Sequence, residues 1–213
     1  EECVDVWRIK DRNVKRLIWA PHFTLFQDTS WMFSRASFLW MSEIMLDLAE
    51  KYHDRLQIAF KPHPRLKSEL YKHPSWGKVK TDDYYQRWAD SDNTQLETGD
   101  FVDLFKSSDA MIHDCGSFTA EYLYLNKPVA FVTTDFENLL KDHNSFGQSA
   151  LNQHYKVKDK EDVLAFINDV VIEGKDEKLQ ARTAFLNTVL KPNVNGSTSE
   201  FIVNDIRKSL GLT

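Results

Sequence analysis

Short apolar runs alternate along this chain with longer stretches of helical period. The run at 16–20 is closed by Pro21, and the run at 56–60 is closed by Lys61-Pro62-His63-Pro64. Proline lacks the N–H that a sheet ladder needs, so both runs read as strands that stop there. Three more strands are expected at 94–97, 110–112 and 128–132. Between the first two runs, Phe38, Met41, Met45 and Leu48 recur at three- and four-residue steps. That spacing predicts a helix over 35–53 with one buried stripe. Further helices are expected near 66–73, 78–90, 117–126, 160–173, 178–190 and 198–210. Asp100 is positioned to cap one more, which carries Phe101, Leu104 and Phe105. Strand followed by helix, repeated, predicts an α/β fold: a Rossmann-like parallel sheet of about five or more strands flanked by helices. Residues 1–14 read as a linker or domain boundary. Residues 15–213 read as one Rossmann-like domain whose C-terminal helices begin near 159.

Composition narrows the function classes. A chain of 213 residues can bury a core without staples. A net charge of −5 provides no overall basic field, which argues against a nucleic-acid binder. The two cysteines, Cys3 and Cys115, have neither metal spacing nor the density of a disulfide scaffold, which fits a reducing, cytoplasmic setting. No apolar run reaches membrane-spanning length, and no signal peptide is visible. Six Trp and fourteen Phe are more aromatics than a core requires, so some are expected on a docking face. Trp31, Met32 and Phe33, in the loop after the first strand, are the leading candidates.

In open parallel sheets, ligands bind beyond the carboxyl ends of the strands. The residues there are His22 after the first strand, Lys61 and His63 after the second, and His113, Asp114 and Cys115-Gly116-Ser117 at the fourth. Thr133, Thr134 and Asp135 follow the fifth. Gly116 allows close backbone approach. Ser117 and Thr119 place hydroxyls beside the unpaired N–H groups of a new helix, an arrangement that favours an anion such as phosphate. Ser117 reads equally as a plain helix cap, and the two roles are compatible. Glu121, one turn on, can accept hydrogen bonds from ribose hydroxyls or stand as a solvated charge. Prolines on both sides stiffen the backbone around His63. A fixed imidazole there suits charge stabilisation at a diphosphate or proton donation to a leaving phosphate. Lys61 would add a permanent positive charge. The alternative is a rigid turn with a solvent-facing histidine. Asn195-Gly196-Ser197 reads as a turn plus cap, or as further hydroxyl and N–H groups near phosphate. His53, His73, His143 and His154 have no partner that spacing reveals.

These segments together resemble the CDP-glycerol glycerophosphotransferase family of bacterial teichoic-acid and capsule synthesis. The matching strings are Ile18-Trp19-Ala20-Pro21-His22, Phe60-Lys61-Pro62-His63-Pro64, and the stretch from Ser108 through His113-Asp114-Cys115-Gly116-Ser117 to Val129. Asn195-Gly196-Ser197 is similar to the family's late glycine-serine turn. The Asp114–Glu121 spacing also resembles sugar-nucleotide 2-epimerases. The resemblance implies the C-terminal, donor-binding half of a two-Rossmann-domain (GT-B type) transferase. His63 would act in catalysis at the donor phosphate. His22, Lys61, Asp114, Gly116, Ser117, Thr119, Glu121, Asn195, Gly196 and Ser197 would hold the donor. No metal is implied. CDP-glycerol is the expected donor, with a nucleotide sugar as the alternative, because Cys115-Gly116 and Asn195 stand where the family usually carries Tyr-Ser and Asp. The family's N-terminal Trp-His-Gly motif is absent and the chain starts at Glu1. The expectation is therefore an isolated donor-binding half, inactive alone. Its missing acceptor domain would meet a polymer or lipid-linked acceptor, with peripheral membrane association through the full-length protein.

Two rivals are of different class. A metal-dependent phosphoesterase could use His22, His63, His113 and Asp114 as ligands, although no short-range ligand pair supports it. A non-catalytic nucleotide- or polymer-binding module would bind without turnover.

Overall fold

The computed structural model describes residues 3–11, 13–25, 36–191 and 197–211. Six strands form one sheet: β1 (Lys15–Ala20), β2 (Leu56–Phe60), β3 (Thr94–Leu96), β4 (Ala110–His113), β5 (Val129–Val132) and β6 (Tyr155–Val157). Every pairing is parallel, and the spatial order is β3-β2-β1-β4-β5-β6. All six carboxyl ends therefore share one edge. The chain runs outward from β1 to β3, then returns to place β4 on the other side of β1. This order has its switch point between β1 and β4, where a crevice opens.

Helices cover both faces. α1 (Phe38–Lys51), α2 (Leu66–Lys72), α3 (Gly77–Asp90) and α8 (Lys160–Ala165, extended as a wider turn to Ile172) pack on the face that carries Leu17, Trp19, Ile58, Phe60 and Ile112. The stripe Phe38, Met41, Met45 and Leu48 is the buried side of α1. α4 (Val102–Ser107), α5 (Phe118–Glu121, continued as a 3-10 turn to Leu125), α7 (Ser145–Leu151) and α9 (Leu179–Phe185, continued to Leu190) cover the opposite face. α6 (Phe136–Lys141) packs with Phe131 and Leu151. α10 (Thr198–Ser209) buries no residue. No helix among the described residues is long and apolar enough to cross a membrane.

The aromatic residues went mostly inward. Trp19 stacks on Phe60 at 4.9 Å and on Phe38 at 5.8 Å, and Trp88 closes the group 5.1 Å from Phe60. Trp7, Trp19 and Trp88 are fully buried. Truncating a buried Trp such as Trp19 to Ala would cost about 3–5 kcal/mol. Trp31, Met32 and Phe33 lie outside the described residues.

Among its described residues the expected linker has no regular element but is packed. Backbone N–H groups of Arg8 and Ile9 donate to Gln95 and Gln57 on β3 and β2. Arg16, 1 % exposed, pairs with Asp5 at 3.0 Å and with the Ile9 carbonyl at 2.9 Å. This strap satisfies the buried Gln57 and Gln95 side chains of β2 and β3. The elements not anticipated are β6, α6 and α7. They are three, six and seven residues long, too short to show a period. α6 and α7 are set by caps: Asp135 accepts from Asn138 and Asn144 accepts from Gly147.

Candidate functional site

Register brings the first two histidines together. Trp19 pairs with Phe60, and the ladder continues past β2 through Lys61 N–H to the Trp19 carbonyl (2.8 Å) and His63 N–H to the Pro21 carbonyl (3.0 Å). Alternate residues of a parallel strand bond to opposite neighbours. Pro62 and Pro64 therefore occupy positions whose N–H would point away from β1, where the ladder has no use for them. His63 is locked beside His22, with ring centroids 5.0 Å apart. Phe23 packs against both imidazoles, at 4.3 Å and 4.4 Å.

The Arg65 N–H donates to His63 Nδ1 at 3.1 Å. An accepting Nδ1 puts the ring proton on Nε2, so neutral His63 presents an N–H donor. Burial lowers the His63 pKa, and the charge of Arg65 lowers it further. Burial, His63 and Arg65 pull His22 down to about 4. Both rings are neutral at pH 7.

Asp114 sits across the switch point. One carboxylate oxygen accepts the His22 N–H at 2.6 Å and the other accepts the Ser37 N–H at 2.5 Å. It thereby ties the loop after β1 and the start of α1 to the end of β4. Burial raises its pKa against the pull of these bonds. With both oxygens engaged, Asp114 shapes the crevice rather than facing into it.

Gly116 and Ser117 are exposed beyond β4, on the same sheet edge as His63. β1 separates β2 from β4, so the two segments stand about two strand spacings, roughly 10 Å, apart. The Ser117 hydroxyl makes no capping bond, which leaves its plain cap reading without support. The N–H groups of Phe118 and Thr119 already donate to the Cys115 and Gly116 carbonyls, each at 3.3 Å. The cradle is thus narrower than the sequence suggests. Thr119 is buried and its hydroxyl has no partner among the described residues. Glu121 is exposed, with its pKa raised by partial burial. Cys115 is buried and free, and burial pushes its thiol pKa up, away from nucleophilic use.

Other expected residues stand elsewhere. Lys61 Nζ donates to the Gly99 carbonyl at 2.6 Å, which anchors the loop after β3. Ser197 forms a capping box with Glu200 at the start of α10. Asn195 and Gly196 lie outside the described residues. His113 does not join the edge: it is fully buried, its Nδ1 is 3.0 Å from the Cys115 carbonyl, and its ring meets buried His154 at 5.2 Å. Sequence reading missed Ser37, Phe23 and Arg65. Arg65 directly follows Pro64, and the motif itself was a signal for it. Among the described residues no group of three or more His, Cys, Asp or Glu could hold a metal ion.

Solved structures share this fold. S. aureus MnaA, in a co-structure with UDP, superposes with a TM-score of 0.54 at 20 % identity, over 99 % of this chain and 50 % of MnaA. The wall teichoic acid polymerase TagF gives 0.55 at 17 % identity, over 94 % of this chain and 45 % of TagF. A Listeria monocytogenes protein described as a putative UDP-N-acetylglucosamine 2-epimerase gives 0.52 at 15 % identity, over 92 % and 45 %. The fold is that of one Rossmann-like half of a GT-B architecture, and the chain spans about half the length of these structures. No curated protein matches the chain by sequence. A family model described as CDP-Glycerol:Poly(glycerophosphate) glycerophosphotransferase matches residues 17–208. With that match covering the sheet, the crevice and both histidine-bearing turns, the chain belongs to the CDP-glycerol:poly(glycerophosphate) glycerophosphotransferase family.

Proposed function

We propose that this chain binds a nucleotide-diphosphate donor, CDP-glycerol first among candidates, in the crevice between the ends of β1 and β4. In the complete enzyme it would serve transfer of glycerophosphate to a cell-surface polymer. The observation that carries this reading is the lacing of the switch point: Asp114 holds the His22 backbone while the sheet register sets His63 beside it. Family membership supports the donor class. So do the UDP in the MnaA co-structure and the CDPG soaked into a TagF variant.

The step is a phosphoryl transfer. An acceptor hydroxyl oxygen attacks the phosphorus that carries glycerol, the phosphoanhydride bond breaks, and CMP leaves with the bridging oxygen. The acceptor proton goes to a base outside this crevice. Catalysis by this half is positioning and charge stabilisation. His63 Nε2–H donates to the oxygen on which charge develops. His22 shares the anion, Ser117 and Gly116 hold the phosphates, and Glu121 accepts from ribose. A missing acceptor domain would bring the lipid-linked or polymer end, at the inner face of the membrane.

A thermal-shift series with CDP-glycerol, CDP-ribitol, UDP-sugars and GDP-sugars tests the reading, because a ligand that binds only the native state raises the melting temperature. CDP-glycerol should give the largest rise. No rise with any of them, in demonstrably folded protein, ends the proposal.

A further inference from the structure

Lys61 was the expected fixed charge of the site, yet its ammonium is bonded to the Gly99 carbonyl and the residue is buried. Another cation stands in the open. The Arg65 guanidinium lies 4.3 Å over the Phe23 ring, the ring that also packs on His22 and His63. An arginine on an aromatic face keeps its planar fork of donors oriented at low entropic cost. Its backbone N–H sets the His63 tautomer. Its side chain is 62 % exposed, and its ion pair, to Glu69 at 3.5 Å, is shared with Lys72, which holds the same carboxylate oxygen at 3.1 Å. Fork, His63 Nε2–H and His22 therefore gather around one aromatic platform.

We propose that Arg65, held on Phe23, is the permanent positive charge that contacts the donor's phosphates, and that Lys61 instead anchors the loop at Gly99. The assignment rests on the donor-binding reading above. A guanidinium can bond two phosphate oxygens at once, whereas an ammonium acts as a point charge. Arg65 also supplies what two neutral imidazoles lack, a charge present at every physiological pH. When phosphate arrives, its negative charge offsets the repulsion between Arg65 and the histidines, so the imidazoles can gain protons as the donor binds, His63 at Nδ1 by releasing the Arg65 N–H.

Calorimetric titration of this chain with CDP-glycerol, CDP, UDP and cytidine tests the proposal. Arg65→Gln should weaken CDP and CDP-glycerol binding by about tenfold or more, with Arg65→Lys intermediate. The phosphate-free nucleoside should bind both variants as it binds the unsubstituted chain. A purely structural role would not spare cytidine in this way. Phe23→Leu, which removes the platform but keeps the charge, should weaken CDP by a smaller factor. In NMR titration of Arg65→Gln, the His22 and His63 imidazoles should take up protons at higher pH than in the unsubstituted chain, because a nearby positive charge is gone. Equal CDP affinity in Arg65→Gln and the unsubstituted chain overturns the Arg65 assignment while donor binding stands. Failure of the unsubstituted chain to bind any of the phosphorylated ligands overturns the donor reading itself, and this assignment with it.

Discussion

Two histidine pairs meet in nearly the same geometry and present opposite chemistry. His22 and His63 meet at 5.0 Å and 67°, and His113 and His154 meet at 5.2 Å and 65°. In the core pair, each Nδ1 faces a carbonyl oxygen, Cys115 for His113 and Ala150 for His154. Nδ1 must therefore donate, and each Nε2 is a bare acceptor, with no partner among the described residues. At the mouth, His63 Nδ1 faces an N–H, so Nε2 becomes the donor. The backbone group opposite Nδ1, and whether water reaches the ring, decide whether a strand-end histidine can serve an anion. Position along the strand does not.

Acid sharpens this contrast most. Unfolded histidine takes a proton near pH 6.5, whereas burial holds His113 neutral down to about 3. The unfolded state binds more protons across that window, so stability falls as pH drops from about 6.5 toward 3. His113 alone should cost about 2 kcal/mol between pH 7 and 5, and His154, lowered by the same burial, adds to the loss. Denaturant melts at the two pH values measure the slope. His154→Leu should flatten it, and an unchanged slope would place the acid sensitivity elsewhere.

Next in size is the tie between the two regions. Asp114→Ala removes the acceptor of two backbone N–H groups. A loss of about 2 kcal/mol is expected, or about 4–8 °C in melting temperature for a chain of this length. Donor affinity should fall along with it, since His22 loses its anchor. Full affinity at reduced stability would show that the lacing does not shape the crevice.

The mouth pair is tested by smaller effects. His63→Ala should weaken CDP-glycerol binding about tenfold, the scale of one charge-assisted hydrogen bond, with little change in melting temperature. The same deletion at His113 should do the reverse. Binding should also tighten a few-fold as pH falls from 8 to 6. Both mouth histidines have depressed pKa values when free, and a bound anion raises them, so protons enter with the donor. An affinity that is flat or rising with pH would remove the imidazoles from the anion contact.

Much of this was legible in the sequence. The strands closed by Pro21 and Pro62 could be read because proline ends a ladder, and the helix from Phe38 because its stripe spans several turns. The strand-end rule located His22, His63, Gly116 and Ser117 on one edge. It misled at His113, which shares that position but turns into the core, where its ring packs on Phe118, Phe131 and His154, the last in a turn between elements too short to read. The Lys61 ammonium goes to the Gly99 carbonyl, a use its type did not announce, while Ser197 takes the cap role that its turn-plus-cap reading offered. Ser37 acts here through its backbone N–H, which residue identity does not advertise, and the Arg65 N–H sets the His63 tautomer in the same silent way.

Nitrogen-15 NMR of the histidine side chains during titration with CDP-glycerol tests the central claim most directly. The account predicts that the His63 and His22 ring signals move and shift toward the protonated form as the nucleotide saturates, while His113 and His154 stay fixed in the Nδ1–H form. Saturable binding that leaves the His22 and His63 signals where they were would contradict it.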